Sequence, residues 1–236
     1  MKRTLFLLTL ISLFSPSAST QTHVVKIAAG EWPPFIGEEL EGFGHVGKII
    51  EEVFSSQGYK VEFHFYPWKR AYKQASEGKY VATAVWMFAN ERTEHFLYSR
   101  PVAQEEFVFF HRKDMPFEWQ SLNDLQGMQL GGGLGYSYGA DLDAQLNTGK
   151  ITMTRAEDPG KALQWLKYRR VDLVPEEKHI GLFTLQKMPI ETQNLITFNQ
   201  KPFLINQSYV LFSKAHPDGE KLLRIFNQGL RQRNEN

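Results

Sequence analysis

Between residues 24 and 86 the chain alternates short apolar runs with segments whose apolar residues recur at helical spacing, and no other feature restricts its fold as much. Val24-Val25-Lys26-Ile27-Ala28 reads as a buried strand. It runs into Gly30-Glu31-Trp32-Pro33-Pro34-Phe35, whose prolines forbid its continuation, so a loop begins at the strand's C-terminal end. From His45, the residues Val46, Ile49, Ile50, Val53 and Phe54 fall on one face of a helix that stops before Gly58. Val61-Glu62-Phe63-His64-Phe65 alternates as a half-buried strand does, Pro67 suits the start of a helix through Trp68 and Ala71, and Val81 to Trp86 supplies a further strand. Strand, helix, strand, helix, strand predicts a parallel sheet wrapped by helices.

After Glu106-Phe107-Val108-Phe109-Phe110 the chain turns polar through His111 to Pro116, and the same grammar restarts. Met128-Gln129-Leu130 is expected to lead into a glycine-rich turn. Asp158-Pro159 is expected to cap a helix with Ala162, Leu163 and Leu166 inward. Val171-Asp172-Leu173-Val174 reads as a short buried strand and Tyr209-Val210-Leu211-Phe212 as another, before a last helix lined by Leu222, Leu223, Phe226 and Leu230.

The first residues, Met1-Lys2-Arg3, are basic; an apolar stretch from Leu5 to Phe14 follows, and then small residues through Ser17-Ala18-Ser19-Thr20. That order is a secretory signal, with residues 1–20 removed and the rest released to the periplasm. The apolar stretch is shorter than the roughly 20 residues a membrane span needs. Without Lys2 and Arg3 there remain 25 basic and 26 acidic residues, a formal charge of −1, which gives no footprint for a nucleic-acid partner. A chain without cysteine has no disulfide and no thiolate metal site, so its stability must come from its core. About 216 residues after cleavage suffice for one large domain or two small ones.

The motifs resemble those of the bacterial extracellular solute-binding proteins of family 3, which bind polar amino acids. The resemblance rests on Glu31-Trp32-Pro33-Pro34-Phe35, Gly78-Lys79-Tyr80, Glu91-Arg92, Phe96-Leu97-Tyr98-Ser99-Arg100-Pro101, Ser121-Leu122-Asn123-Asp124-Leu125-Gln126-Gly127 and Val171-Asp172, in that order. It implies an α/β fold like that of periplasmic binding proteins, with two lobes, each a mainly parallel sheet flanked by helices, joined by two hinge crossings. The first lobe is expected over residues 21–112 and 206–236, the second over 113–205, with the second crossing near Phe203 to Tyr209. A small ligand bearing a carboxylate, a membrane permease or membrane sensor as partner, a monomeric state and no cofactor are what the resemblance implies.

Arg92 follows Asn90, a good N-cap, so its guanidinium is expected beside the free N–H groups of a helix start. The residues alone leave two readings open, a surface arginine paired with an acid such as Glu94 or a fork for a carboxylate; the resemblance implies the second. The run Gly131 to Gly139 fits neither the dinucleotide fingerprint nor a P-loop; it reads as a backbone anion site or as a plain tight turn. The resemblance implies that Gly135 and Tyr136 face the ligand from the second lobe. It also places an acid for the ligand's amine at Glu177, or at Glu176 if the register differs by one; the residues alone read equally as a solvated stretch, Glu176-Glu177-Lys178. Trp32, Phe35, Trp68, Trp86 and Tyr136 fall at ends of expected strands, where parallel sheets bind ligands, although each taken singly could pack in a core.

The pattern departs from the family where hydroxyl residues normally precede the arginine, since Met87, Phe88 and Ala89 stand there, and Val81 replaces a common aspartate. This points towards a less polar carboxylate, an aromatic amino acid or an otherwise altered ligand. No catalytic triad and no metal-binding motif appear among the seven histidines, so neither catalytic residues nor a metal site are expected. The alternative is a cleft enzyme of the same fold, such as a lyase resembling cyclohexadienyl dehydratase, with Glu177 as its acid. N-terminal sequencing of periplasmic material should give a chain starting near Thr20 or Gln21; intact Met1 would contradict the export reading.

Overall fold

The computed structural model describes residues 23–134, 136–157 and 159–235; the expected signal over residues 1–20, Gly135 and Asp158 lie outside them. The first lobe begins with β1 (His23–Ala29), α1 (Gly44–Ser56), β2 (Tyr59–Phe65), α2 (Trp68–Ser76), β3 (Ala82–Met87) and β4 (Phe96–Tyr98). The chain then crosses on β5 (Ala103–Arg112) into β6 (Gln129–Gly133), α3 (Ala140–Asn147), β7 (Thr152–Ala156), α4 (Pro159–Lys167), β8 (Val174–Glu177), α5 (Lys178–Gln186), α6 (Ile190–Leu195) and β9 (Ile196–Phe198). It returns on β10 (Leu204–Ser213) and ends in α7 (Gly219–Glu235).

In the first lobe β1 lies between β2 and β3, parallel to both, as the strand and helix alternation demands. The stretch that joins the lobes is antiparallel instead. Leu204 to Ser208 of β10 pair with Ala103 to Phe107 of β5, and β10 continues against β3 and β4. The far half of β5 pairs with β8 and β9. Each crossing strand is therefore paired with the other crossing strand over its first half and with the strands of one lobe over its second.

The cores separate along the same line. Ile27, Ile50, Phe54, Phe212 and Phe226 belong to the first-lobe core together with Val102. Val108 and Phe110 already pack with Leu163 and Leu166 of the second lobe. Packing thus changes lobe within β5, whereas the sequence suggested a division after Arg112. The second lobe has another cluster around Phe109, Trp119, Leu130 and Tyr138.

Two local expectations are corrected. Gly131, Gly132 and Gly133 do not form a turn: they are strand residues of β6, paired with β7. A Cβ on Gly132 would lie 2.5 Å from Met153 Sδ and 2.6 Å from Tyr138 Oη, and one on Gly133 would lie 2.8 Å from the Tyr136 ring. The glycines serve close packing against the sheet. The strand expected over Val171 to Val174 is also displaced, because the ladder with β5 runs over Val174 to Glu177, while Asp172 accepts a hydrogen bond from Gln129 N at 2.8 Å.

Phe226 of α7 is fully buried, with its ring 5.2 Å from Phe54 and 5.7 Å from Phe212. Phe226→Ala should cost about 3–5 kcal/mol in urea unfolding. A loss under about 1 kcal/mol would show that α7 is not part of the first-lobe core.

Candidate functional site

The first-lobe wall is built from the loop after β1 and the starts of the two segments beside it. Gly30 leaves room for Trp68, the first residue of α2, since a Cβ there would lie 2.3 Å from the indole ring. Trp68 meets Trp86 edge to face with centroids 5.0 Å apart, and Tyr72 meets the same indole at 5.4 Å. Trp86 is fixed by its Nε1, which donates to Thr83 Oγ1 at 3.0 Å. Over this ring stands Arg92, its guanidinium carbon 4.9 Å from the centroid, and Arg92 Nη1 donates to the Met87 carbonyl. Stacking and one carbonyl orient the guanidinium.

The segment carrying Arg92 is a short 3-10 helix, Asn90–Glu94. Its N-cap is Ala89, in extended conformation and with no side-chain cap bond, so the expected Asn90 cap does not form: Asn90 is already inside the first turn. The expected alternative partner, Glu94, does not pair with Arg92 either, and no ion pair to Arg92 forms among the described residues. Burial raises the Tyr72 hydroxyl above its ordinary range, and the positive charge of Arg92 partly offsets this.

Trp32 and Phe35 stack at 4.7 Å in a tight turn closed by Trp32 N to Ile36 O, and the first turn of α1 hangs from the carbonyls of Pro34 and Phe35. Phe35 then reaches the other lobe. Its ring meets His179 of α5 edge to face at 5.9 Å, and Ile180 packs against the first-lobe core.

Glu177 is fully buried at the end of β8 and caps α5. Its Oε2 accepts from Ile180 N at 2.9 Å, and its Oε1 faces His179 Nδ1 at 3.0 Å. A carboxylate at a helix N-terminus completes free N–H groups and meets the positive end of the dipole, so the solvated-stretch reading is wrong for Glu177. Glu176 is buried as well, and accepts from Glu177 N at 2.9 Å. Desolvation, then the nearby Glu177 charge, pushes the Glu176 carboxyl up to about 7, against the lowering effect of that backbone hydrogen bond.

Among the described residues of the glycine run, three backbone N–H groups are already bonded within the protein. Gly131 N donates to Leu173 O, Gly133 N to Tyr138 Oη and Leu134 N to Ala156 O. Tyr136 sits beside this strand, half exposed, its carbonyl held by Arg155 Nη1 at 3.0 Å and its ring 6.4 Å from that of Tyr138.

The structure thus brings Arg92, Trp86 and Trp68 into one contact chain, with Gly30 joining it to the Trp32 and Phe35 loop, and that loop touches the Glu177 cap through His179. Where hydroxyls were missing, Met87 Sδ faces Asn206 Nδ2 at 3.1 Å, Phe88 leans on Tyr98 at 5.1 Å, and both backbone groups of Ala89 are held by Tyr98 Oη. Met87, Phe88, Ile205, Asn206, Gln207 and Tyr209 line an open hollow of about 500 Å³. Sequence reasoning missed His179, Tyr72 and above all Glu105, although the alternation of β5 puts Glu105 in phase with buried Phe107 and Phe109.

Residues 25–236 match the family described as bacterial extracellular solute-binding proteins, family 3. Comparison with curated protein sequences returned no match. Among solved structures, the holo form of ArgBP from T. maritima is 18% identical with a TM-score of 0.64, over 89% of this chain and 90% of that one. A histidine kinase sensor domain with similarity to periplasmic binding proteins is 16% identical at 0.69, over 90% and 91%. The ancestral amino acid-binding protein AncCDT-1, a precursor of cyclohexadienyl dehydratase, is 16% identical at 0.66, over 90% of each. At such identities the likeness shows the fold alone.

Glu176 gives the site a pH dependence with a definite sign. Its carboxyl holds a proton up to about 7 when folded, against about 4.5 when unfolded, so the folded state binds more protons in between and stability falls as pH rises through that window. The loss from this group amounts to at most about 3 kcal/mol, at 1.36 kcal/mol per pH unit. Urea unfolding at pH 5.5 and pH 8 should show a lower midpoint at pH 8, and Glu176→Gln should lose less across the interval. An equal loss in wild type and variant would remove Glu176 from the account.

Proposed function

Because the chain belongs to the bacterial extracellular solute-binding proteins, family 3, we propose that it captures a small carboxylate-bearing molecule between its lobes, for uptake or sensing, and leaves it chemically unchanged. The observation that carries this reading is the state of Arg92: a fixed positive fork on an aromatic wall, oriented by Trp86 and the Met87 carbonyl and without an acidic partner among the described residues. A planar guanidinium so presented matches a carboxylate with two parallel hydrogen bonds. Trp68, Trp86, Trp32 and Phe35 line the first lobe's side, while Tyr136, Gly135 and the Glu177 cap belong to the opposing lobe in this reading. Met87 and Phe88 offer sulfur and ring surface where the family usually offers hydroxyls, which suits an amino acid or relative with an apolar body.

The crossing strands act as a hinge, and capture consists of closing it. The signal over residues 1–20 sends the chain to the periplasm, where a permease or a membrane sensor reads the closed monomer. A lyase would need Glu177 as a proton donor at the bound molecule. Its buried oxygens instead accept from Ile180 N at the start of α5 and face His179, which supports holding over turnover.

The test starts with mass spectrometry of the small molecules released when purified protein is denatured, followed by calorimetry with the carboxylate so identified. Arg92→Met should weaken its binding by roughly thirtyfold or more, since losing one partner of a desolvated pair costs about 2–5 kcal/mol. The melting temperature without added carboxylate should move by only a few degrees, because Arg92 lies outside the buried cores. Unchanged affinity would sink the carboxylate role. Recovery of a chemically altered molecule, with conversion lost in Glu177→Gln, would instead support the lyase.

A further inference from the structure

Glu105 is the fully buried acid that the capture reading does not use. It stands at the middle of the ladder between the crossing strands, opposite Asn206 of β10. Neither of its carboxylate oxygens has a hydrogen-bond partner in the protein. Ser208, on the same face of β10, is also fully buried, and its hydroxyl is without a partner too. The two groups are near enough to influence each other, yet no hydrogen bond of acceptable geometry joins them.

A buried ionised carboxylate with neither a counter-ion nor donors is costly, and the ordinary relief is to bind a proton. The groups around Glu105 offer no other relief. From β10 come Asn206, whose amide faces Met87 Sδ, and Ser208. From β8 comes Glu177, a second negative charge, and from α5 comes His179, which is turned to Glu177. Lys178 is paired with Glu106 at 2.9 Å, on the opposite face of β5. Burial, the largest influence, and the Glu177 charge together outweigh Ser208 and push the carboxyl up to about 7.

The position decides what that proton does. Phe35 against His179 bridges the lobes, and His179 rests on the carboxylate that faces Glu105. We propose that parting the lobes opens this contact and lets water reach the crossing strands, and that Glu105 is a proton-binding site coupled to lobe closure: it is ionised and hydrated when the lobes part, and takes up one proton when they close. This rests on the hinge in the reading above. Closure then becomes easier as pH falls from about 7 towards the ordinary carboxyl range, by at most about tenfold per pH unit, and levels off above it. Glu176 is not assigned this role, because it lies on β8 opposite Val108, which packs in the second lobe's own core, and not in the ladder between the crossing strands.

The cysteine-free chain makes the test direct. Lys69→Cys on α2 and Lys150→Cys after α3, both exposed, take one spin label in each lobe. Pulsed dipolar distances are then recorded from pH 5 to 8.5 with no small molecule added. The ratio of short to long distances should rise as pH falls from 7 to 5; Glu105→Gln should hold it high and level, and His179→Gln, which loses the Phe35 contact, should lower the ratio at every pH while keeping its rise between 7 and 5. A wild-type distribution that ignores pH overturns the proposal, and so does a rise that persists in Glu105→Gln or vanishes in His179→Gln. If Glu105→Gln does not fold, the wild-type and His179→Gln profiles decide. Since nothing is added, the outcome is independent of whether Arg92 holds a carboxylate, and a failure of the capture reading appears only in the Arg92→Met calorimetry.

Discussion

The antiparallel ladder between Ala103 to Phe107 and Leu204 to Ser208 is the constraint on which the rest depends. Either lobe could bury its own apolar faces without it, since the cores around Phe54 and around Phe110 are separate. What the ladder adds is relative position. It holds the end of β3, and with it Met87 and Arg92, alongside β10, and it holds the end of β8, and with it Glu177, alongside β5. Two strands paired to each other can bend and twist together, while the packed lobes at their ends move as units.

The electrostatics follow from this placement. Arg92 lies on the first lobe's face with a carbonyl and a ring to orient it, and no acid among the described residues neutralises it. Buried acids collect at and beside the ladder: Glu105 stands within it, and Glu176 and Glu177 lie on β8 against β5. Glu177 is stabilised by the start of α5, and its charge helps keep the other two carboxyls near neutral pH in their titration. Three acids of similar sequence context thus have different roles, set by what each one touches.

Much of the fold was legible because strands and helices carry different periods. Val46, Ile49, Ile50, Val53 and Phe54 marked α1, and the break at Pro33-Pro34 marked the loop that carries Trp32 and Phe35. The glycines at 131 to 133 misled, because the reason for them is tertiary: Val171 and Trp165 crowd the first, Met153 and Tyr138 the second, and Tyr136 the third. The same holds for Glu176-Glu177-Lys178. A run of charges reads as solvated surface, and only the register of β8 on β5 turns it inward. Asn90 looked like a cap because caps are judged by residue type, yet a short 3-10 helix with Ala89 extended before it leaves that side chain no capping role. Arg92 was singled out by resemblance alone, and the ring beneath it was not foreseen as its support.

The central claim is that two lobes joined by this ladder close on a carboxylate. Small-angle X-ray scattering on the chain without residues 1–20 tests it most directly, with and without saturating amounts of the carboxylate recovered from the purified protein. The account predicts a smaller radius of gyration in the saturated sample. An unchanged radius at proven saturation would contradict it, and would mean a rigid pocket rather than a closing cleft.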